Sequence, residues 1–226
     1  MDGLLLIDKP KGWTSFDVVA KVRGMMKRSG IDKPKVGHTG TLDPLATGLL
    51  VLTLGTYCKR AQEFSKLDKT YEVELELGKT STTDDAEGEV TPTKQPIPPE
   101  IPIKSAIADF IGMIKQTPPA FSAIKVDGKR AYKLAREGKE VKIEPRNVTV
   151  YSIENIKTTE AKVSFTAKVS SGTYIRSLVR DIGEKLGCGA YMSDLRRTTV
   201  GKFLLDDALQ IEDLSAGKIQ KHLKSI

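Results

Sequence analysis

The sequence predicts an α+β fold. "YEVELELG" alternates apolar and polar residues strictly, with Tyr71, Val73, Leu75 and Leu77 on one face, as a half-buried strand does. "TSFDVVAKVRGMMKRSG" carries its apolar residues at helical spacing instead. Segments of the two kinds follow one another without regular βαβ alternation, which argues against a doubly wound parallel sheet.

In chain order, "GLLLIDKPKGW" is a short buried strand ended by Pro10 and Gly12. The first helix opens on Thr14 and Asp17, which have capping-box spacing with Asp in the usual Glu position. Val18, Val19, Val22, Met25 and Met26 form its apolar stripe, and Gly30 supplies its stop. A glycine-rich loop follows, then "LLVLTLG" and "YEVELELG" as strands. Residues 78–103 are rich in Thr, Pro and acid, and read as an exposed connection with "DAEG" as a turn. "IKSAIADFIGMI" reads as an amphipathic helix. "KQTPPAFSAIKVDGKRAYKLAREGKEV" reads as a loop, a hairpin-like "KVDGK" turn and a short basic helix. "VTVYSI" and "VSFTAKVSSG" are strands, and "TYIRSLVRDIGEKLG" is a helix ending at Gly187. The tail, "IEDLSAGKIQKHLKSI", reads as helical and basic.

Composition narrows the function classes. With 226 residues and 39% hydrophobic content the chain can bury a full core, as one large domain or two small ones. Its apolar runs are of strand length and flanked by turn residues, so no membrane span is expected. "MDGLLLIDKP" lacks a basic leader and a small-residue cleavage site, so no signal peptide is expected. Two cysteines, Cys58 and Cys188, suit a reduced, cytoplasmic protein. Together with His38 and His222 they show no zinc spacing. The net charge is +7 and it is segregated. Lys125 to Arg146 holds eight Lys/Arg against four Asp/Glu, while Thr80 to Pro102 holds five acidic residues and one lysine. One face meeting phosphates would produce this pattern, and so would a solvated helix.

Residues 37–50 read "GHTGTLDPLATGLL". Pro44 keeps Asp43 out of a helix interior, and the glycines permit sharp turns and close approach of a ligand. The residues alone leave two readings of Asp43. It is a carboxylate displayed at a loop tip, or it caps its own loop amides in an Asx-turn. The stretch contains no lysine and so is not a P-loop.

This stretch resembles the catalytic motif of the TruB family of tRNA pseudouridine synthases, written H-x-G-T-L-D-P. Four further segments resemble the family, in its order: "IDKPKGWTS", "DKTYEVELELGKTSTTDDAEGEV", "QTPPAFSAIKVDGKRAYKLAREG" and "SSGTYIRSLVRDIGEKLGCGAYMSDLRRTTVG". The resemblance runs from about residue 3 to 203. It implies the pseudouridine synthase fold, a mixed and mostly antiparallel central sheet flanked by helices with a flexible basic RNA-gripping insertion. It implies conversion of uridine 55 in the tRNA T-loop to pseudouridine, with neither cofactor nor metal, by a cytoplasmic monomer whose partner is the T-arm of tRNA. Attack at C1′ of the ribose, attack at C6 of uracil and a glycal route all remain open.

The resemblance also assigns roles. Asp43 is the nucleophile, or the base at the ribose. Arg176 pairs with that carboxylate, and Tyr71 stacks on the target base near C5. Tyr174 and Leu195 line the uracil pocket, and Asp85 lies near it. His38 fills the space that flipped nucleotides leave, in a step that costs a few kcal/mol. Lys125, Lys129, Arg130, Lys133 and Arg136 grip T-arm phosphates. By the same reading residues 1–210 form the catalytic domain, with its insertion at about 120–146. Residues 211–226 form a tail too short for the PUA domain that family members usually carry. Guide-RNA-dependent action, a non-catalytic RNA-binding factor and a secondary tRNA-folding role are the competing expectations. Because Asp43, Tyr71 and Arg176 are all present, an enzyme is favoured over a factor that has lost catalysis.

Overall fold

The computed structural model describes residues 1–126, 128–139 and 141–225. Asp127 of the expected "KVDGK" turn, Glu140 of the insertion and Ile226 of the tail lie outside the described residues. The chain divides into two units. The first comprises Met1–Glu72 and Leu195–Ile226, and the second Val73–Asp194.

The first unit opens with β1 (Gly3–Lys9), every residue of which is buried. It pairs antiparallel with β3 (Thr47–Leu54) in the register Leu5↔Leu52 and parallel with a strand from the end of the chain, so it has no free edge. That is why its sequence is a continuous apolar run rather than an alternating one. Between them lie α1 (Ser15–Arg28) and β2 (Val36–His38). The expected capping box is present in α1: Thr14 accepts from the Asp17 amide, and the Asp17 carboxylate accepts from Thr14. Val18, Val19, Val22 and Met26 are buried and Met25 is half-buried, so the stripe is narrower than expected. After β3 a 3₁₀ turn (Gly55–Arg60) leads to α2 (Ala61–Ser65). Strand β4 (Lys69–Leu77) then starts in this unit and ends in the second.

The second unit has two small hairpin strands, β5 (Lys79–Ser81) and β6 (Val90–Pro92), inside the stretch read as a plain connection. The next helix, α3, spans Glu100–Ala108. The sequence reading carried this helix through "GMI", but Gly112–Gln116 is strand β7, paired antiparallel with β10. Gly112 has φ +112°, outside helical space, and a short apolar run such as "IGMI" has no period of its own to separate helix from strand. Strands β8 (Lys125–Val126) and β9 (Lys129–Arg130) form the expected hairpin, followed by α4 (Ala131–Arg136). Strands β10 (Arg146–Thr159) and β11 (Lys162–Val169) are the two foreseen, the first running well past "VTVYSI". Helix α5 (Ile175–Leu186) ends on Gly187 at φ +75°, the left-handed cap the sequence implied. In this unit β4, β11, β10 and β7 are neighbours in that order. Val73, Leu75, Val163, Phe165, Leu178 and Ile182 belong to its buried interior.

Strand β12 (Ala190–Val200) brings the chain back to the first unit. Sequence reading assigned it no element, because its arginines and threonines break both periods. It pairs parallel with β3 through Arg196↔Thr47 and Arg197↔Gly48, and turns back on β13 (Phe203–Leu204). Strand β14 (Leu209–Gln210) completes the sheet against β1. The tail is less helical than expected: among its described residues only Ala216–Lys221 forms a helix, α6. Leu4, Leu6, Leu49, Val51, Phe64, Val200 and Phe203 make one apolar cluster, with the rings of Phe64 and Phe203 edge to face at 6.4 Å. The predicted α+β class, with a mixed and mostly antiparallel sheet flanked by helices, holds.

Candidate active site

In the first unit β2 runs antiparallel to β3, and Thr39 closes the pair with its amide and hydroxyl on the Val51 carbonyl, at 3.0 and 3.3 Å. The chain then leaves the sheet for the Asp43 loop and rejoins it at Thr47. Leu42, Leu45 and Ala46 are buried, whereas Asp43 and Pro44 are half-buried. The Ala46 amide donates to the Asp43 carbonyl at 3.1 Å, so Asp43 opens a tight turn with Pro44 second, where its fixed φ suits the turn.

Both chain neighbours of Asp43 are braced. The Ser15 hydroxyl, 2% exposed at the start of α1, donates to the Leu42 carbonyl at 3.1 Å and accepts from the Leu42 amide at 2.8 Å. The Pro44 carbonyl accepts from the Gly12 amide at 2.8 Å and from the Lys9 ammonium at 3.4 Å. Lys9 is itself fully buried and bonds the Pro10 and Trp13 carbonyls at 2.9 and 2.6 Å. The segment "IDKPKGWTS" thus holds the backbone on either side of the carboxylate. The backbone on both sides of Asp43 is therefore fixed by hydrogen bonds.

His38 is half-buried at the entrance to the loop, and its Nδ1 is buried without a hydrogen-bond partner among the described residues. Burial lowers its pKa and the positive charge of Arg197 lowers it further, so the imidazole is neutral near pH 7. Tyr71 and Leu195 are 8% and 7% exposed. The Leu195 carbonyl accepts from the Thr47 hydroxyl at 3.4 Å, where the loop re-enters the sheet. Arg196 donates to the Asp8 carboxylate at 2.7 Å and to the Thr47 hydroxyl at 3.3 Å.

In the second unit Arg176 sits in the first turn of α5. Its Nη1 donates to the Thr83 carbonyl at 3.0 Å, its Nη2 to the Phe121 carbonyl at 2.9 Å, and its Nε lies 3.4 Å from the Asp85 carboxylate. Asp85 also accepts from the Thr83 hydroxyl at 2.5 Å and from the Glu87 amide at 3.0 Å. Two residues picked separately from sequence are therefore brought together. Tyr174, at the start of α5, is held by a residue that sequence reading missed. Gln116 is fully buried, and its side-chain amide donates to the Tyr174 carbonyl at 3.0 Å and accepts from the Tyr174 amide at 2.8 Å. The Arg146 guanidinium lies over the Tyr174 ring, 5.0 Å from its centre, and donates to the Gly172 carbonyl. The sequence carries no local signal for Gln116, because it stands between the polar Lys115 and Thr117.

Lys125, Lys129, Arg130, Lys133 and Arg136 are all exposed. The hairpin is tied to α4 by the Ala131 amide on the Ile124 carbonyl, and Arg136 lies over the Tyr132 ring at 5.6 Å. No group of three or more His, Cys, Asp or Glu that could hold a metal occurs among the described residues. None of the described helices is long and apolar enough to cross a membrane.

Comparison with known proteins matches residues 27–175 to the TruB family pseudouridylate synthase N-terminal domain. Residues 176–225 match the tRNA pseudouridylate synthase B C-terminal domain. The tRNA pseudouridine synthase B of Opitutus terrae is 46% identical over 228 residues, spanning 99% of this chain and 92% of that protein. That of Clostridium kluyveri is 45% identical over 223 residues, spanning 99% and 75%. Among solved structures, a chain of a Cbf5-Nop10-Gar1 complex superposes with a TM-score of 0.72 at 32% identity, covering 94% of this chain. The present chain spans about half of that one, 53%.

Proposed function

The chain belongs to the TruB family of tRNA pseudouridine synthases, and on that footing we propose that it isomerises uridine 55 of the tRNA T-loop to pseudouridine. It does so in the cytoplasm, as a monomer gripping the T-arm, with Asp43 as the reacting carboxylate. The observation that carries this reading is the loop itself: a half-buried carboxylate in the family motif, with the backbone of both neighbours pinned by Ser15, Gly12 and Lys9.

The reaction cleaves the bond between ribose C1′ and uracil N1 and joins C1′ to C5. The C5 proton is lost and N1 gains one, so atoms and charge balance with no oxidant, reductant or water consumed. A redox cofactor has nothing to do in such a step. A carboxylate suits it because it can attack as a nucleophile or take a proton at the ribose, and leave again as a stable anion. His38, neutral near pH 7, can enter the space the flipped nucleotides leave without adding a charge to that space. Arg176, Asp85, Tyr71, Tyr174 and Leu195 keep the roles the family motifs assign them. The lysines and arginines of the insertion hold phosphate, which offsets the cost of pulling the base from its stack.

Incubating the purified protein with an unmodified tRNA transcript, and no other RNA, then mapping pseudouridine, tests this reading. Product at the T-loop uridine is expected. Product that requires an added guide RNA, or that appears elsewhere, would refute it.

A further inference from the structure

Arg197 stands out in the first unit as a guanidinium where an apolar residue would be expected. It is 2% exposed, inside strand β12. Its Nε donates to the Leu49 carbonyl at 2.7 Å and its Nη2 to the Gly40 carbonyl at 3.0 Å. Those two carbonyls lie on either side of the Asp43 loop. One side chain therefore ties the residue where the chain leaves the sheet to the residue where it has returned.

The backbone is shaped to allow this. Arg197 pairs with Gly48 across β12 and β3. Gly48 has φ +97°, and a Cβ there would lie 2.3 Å from the Arg197 carbonyl oxygen. Only glycine lets the two strands approach at that point. The neighbouring Arg196 points to different partners, Asp8 and Thr47. Two adjacent arginines thus hold the return of the loop, one through a carboxylate and a hydroxyl, the other through two backbone carbonyls.

An arginine is a costly way to fill a core. Burying a guanidinium requires desolvation, and a hydrophobic residue of similar size is often equally or more stabilising. The hydrogen-bond partners of Arg197 among the described residues are backbone carbonyls, not a carboxylate. Burial lowers the pKa of both His38 and Lys69, and the Arg197 charge lowers each further. Stability alone does not account for it, whereas the geometry of a loop does.

We propose that Arg197 is a positioning residue for the isomerisation, closing the Asp43 loop from behind by bonding the backbone at both of its ends. The proposal rests on the reading that Asp43 is the reacting carboxylate. A small misplacement of a reacting group is enough to matter: about 1 Å costs on the order of 100-fold in rate.

The test uses Arg197→Lys, Arg197→Gln and Arg197→Met in the full chain. Four quantities are measured: the single-turnover rate on unmodified tRNA, tRNA affinity, the thermal midpoint, and amide exchange of residues 39–49. We expect folded variants that bind tRNA within about threefold of wild type while the rate of Arg197→Met falls by about 100-fold. Exchange should quicken within the loop and not elsewhere, and lysine, which can reach one carbonyl at a time, should be intermediate. An unchanged rate, a rate loss that follows weakened tRNA binding, or failure of all three variants to fold would overturn the proposal. Asp43→Asn run in parallel separates the two ideas. Product from that variant sinks the assignment of Asp43 whatever Arg197 does. An inactive Asp43→Asn beside a fully active Arg197→Met sinks only the role given to Arg197.

Discussion

The guanidinium of Arg176 lies 3.4 Å from the carboxylate of Asp85, and the two side chains are only 6% and 3% exposed. A buried pair of this kind is worth little against an apolar substitute but a great deal against its own half. Asp85→Ala removes the carboxylate 3.4 Å from the Arg176 Nε and should destabilise the protein by about 1–3 kcal/mol. Urea unfolding measures this, and a loss below about 1 kcal/mol would mean the pair is hydrated rather than dry.

Arg176→Lys keeps the charge but loses the fork. A lysine cannot hold the Thr83 carbonyl, the Phe121 carbonyl and Asp85 in the geometry that Arg176 uses. The turnover rate should fall by at least about tenfold, the equivalent of roughly one hydrogen bond to a charged group. Wild-type turnover in the lysine variant would make Arg176 a structural residue.

Much of this was legible in the sequence, and the reasons differ from place to place. The capping box of α1, the Gly187 cap and the turn at Asp43–Pro44 are local chemistry, fixed by residues two or three apart. Proline and glycine announce the loop that carries Asp43, but local chemistry leaves its carboxylate with two readings, and only the family resemblance gives it the reacting role. What holds the site was not legible. Ser15 reaches Leu42, Gln116 reaches Tyr174 and Arg197 reaches Gly40, each across a long stretch of chain. Nothing in local periodicity encodes such a partner. Strand β12 was missed on the same ground, since its arginines satisfy backbone carbonyls and carboxylates rather than alternating with apolar residues. The error over β7 has another source, a run too short to have a period.

Lys69 makes stability depend on alkaline pH. It is 7% exposed and bonds the Ser65 and Leu67 carbonyls. Burial, and then the charge of Arg197, bring its pKa down from 10.5 to about 8, against an opposing pull from Asp68. Between about pH 8 and 10.5 the unfolded chain holds this proton and the folded one has released it, so the contribution of Lys69 to stability rises with pH across that window. Below pH 8 both states are protonated and its contribution is constant. Relative to Lys69→Met, the wild type should gain stability on going from about pH 7 to about pH 10. Parallel pH profiles for the two proteins would show that folding leaves the Lys69 pKa where it is in the unfolded chain.

The basic insertion should carry salt dependence and not fold. Lys129 and Arg130 are exposed and Lys133 lies at the surface of α4, so replacing all three by Ala should change stability by no more than about 0.5 kcal/mol per site. Removing one phosphate-binding cation lowers the slope of log affinity against log salt by about 0.7–0.9, so removing three lowers it by roughly two to three units. Titration of a T-arm hairpin at several salt concentrations reads this directly. An unchanged slope would place the RNA backbone elsewhere on the protein.

The central claim is that Asp43 reacts. Loss of the C5 proton accompanies every productive turnover, so tRNA carrying tritium at C5 of its uridines reports the chemistry itself. With Asp43→Asn, which keeps the size of the side chain and loses its charge, no tritium release is expected even at saturating enzyme, while the affinity for tRNA stays within a few-fold of wild type. Wild-type enzyme should release one tritium per tRNA. Sustained release by the asparagine variant would contradict the account.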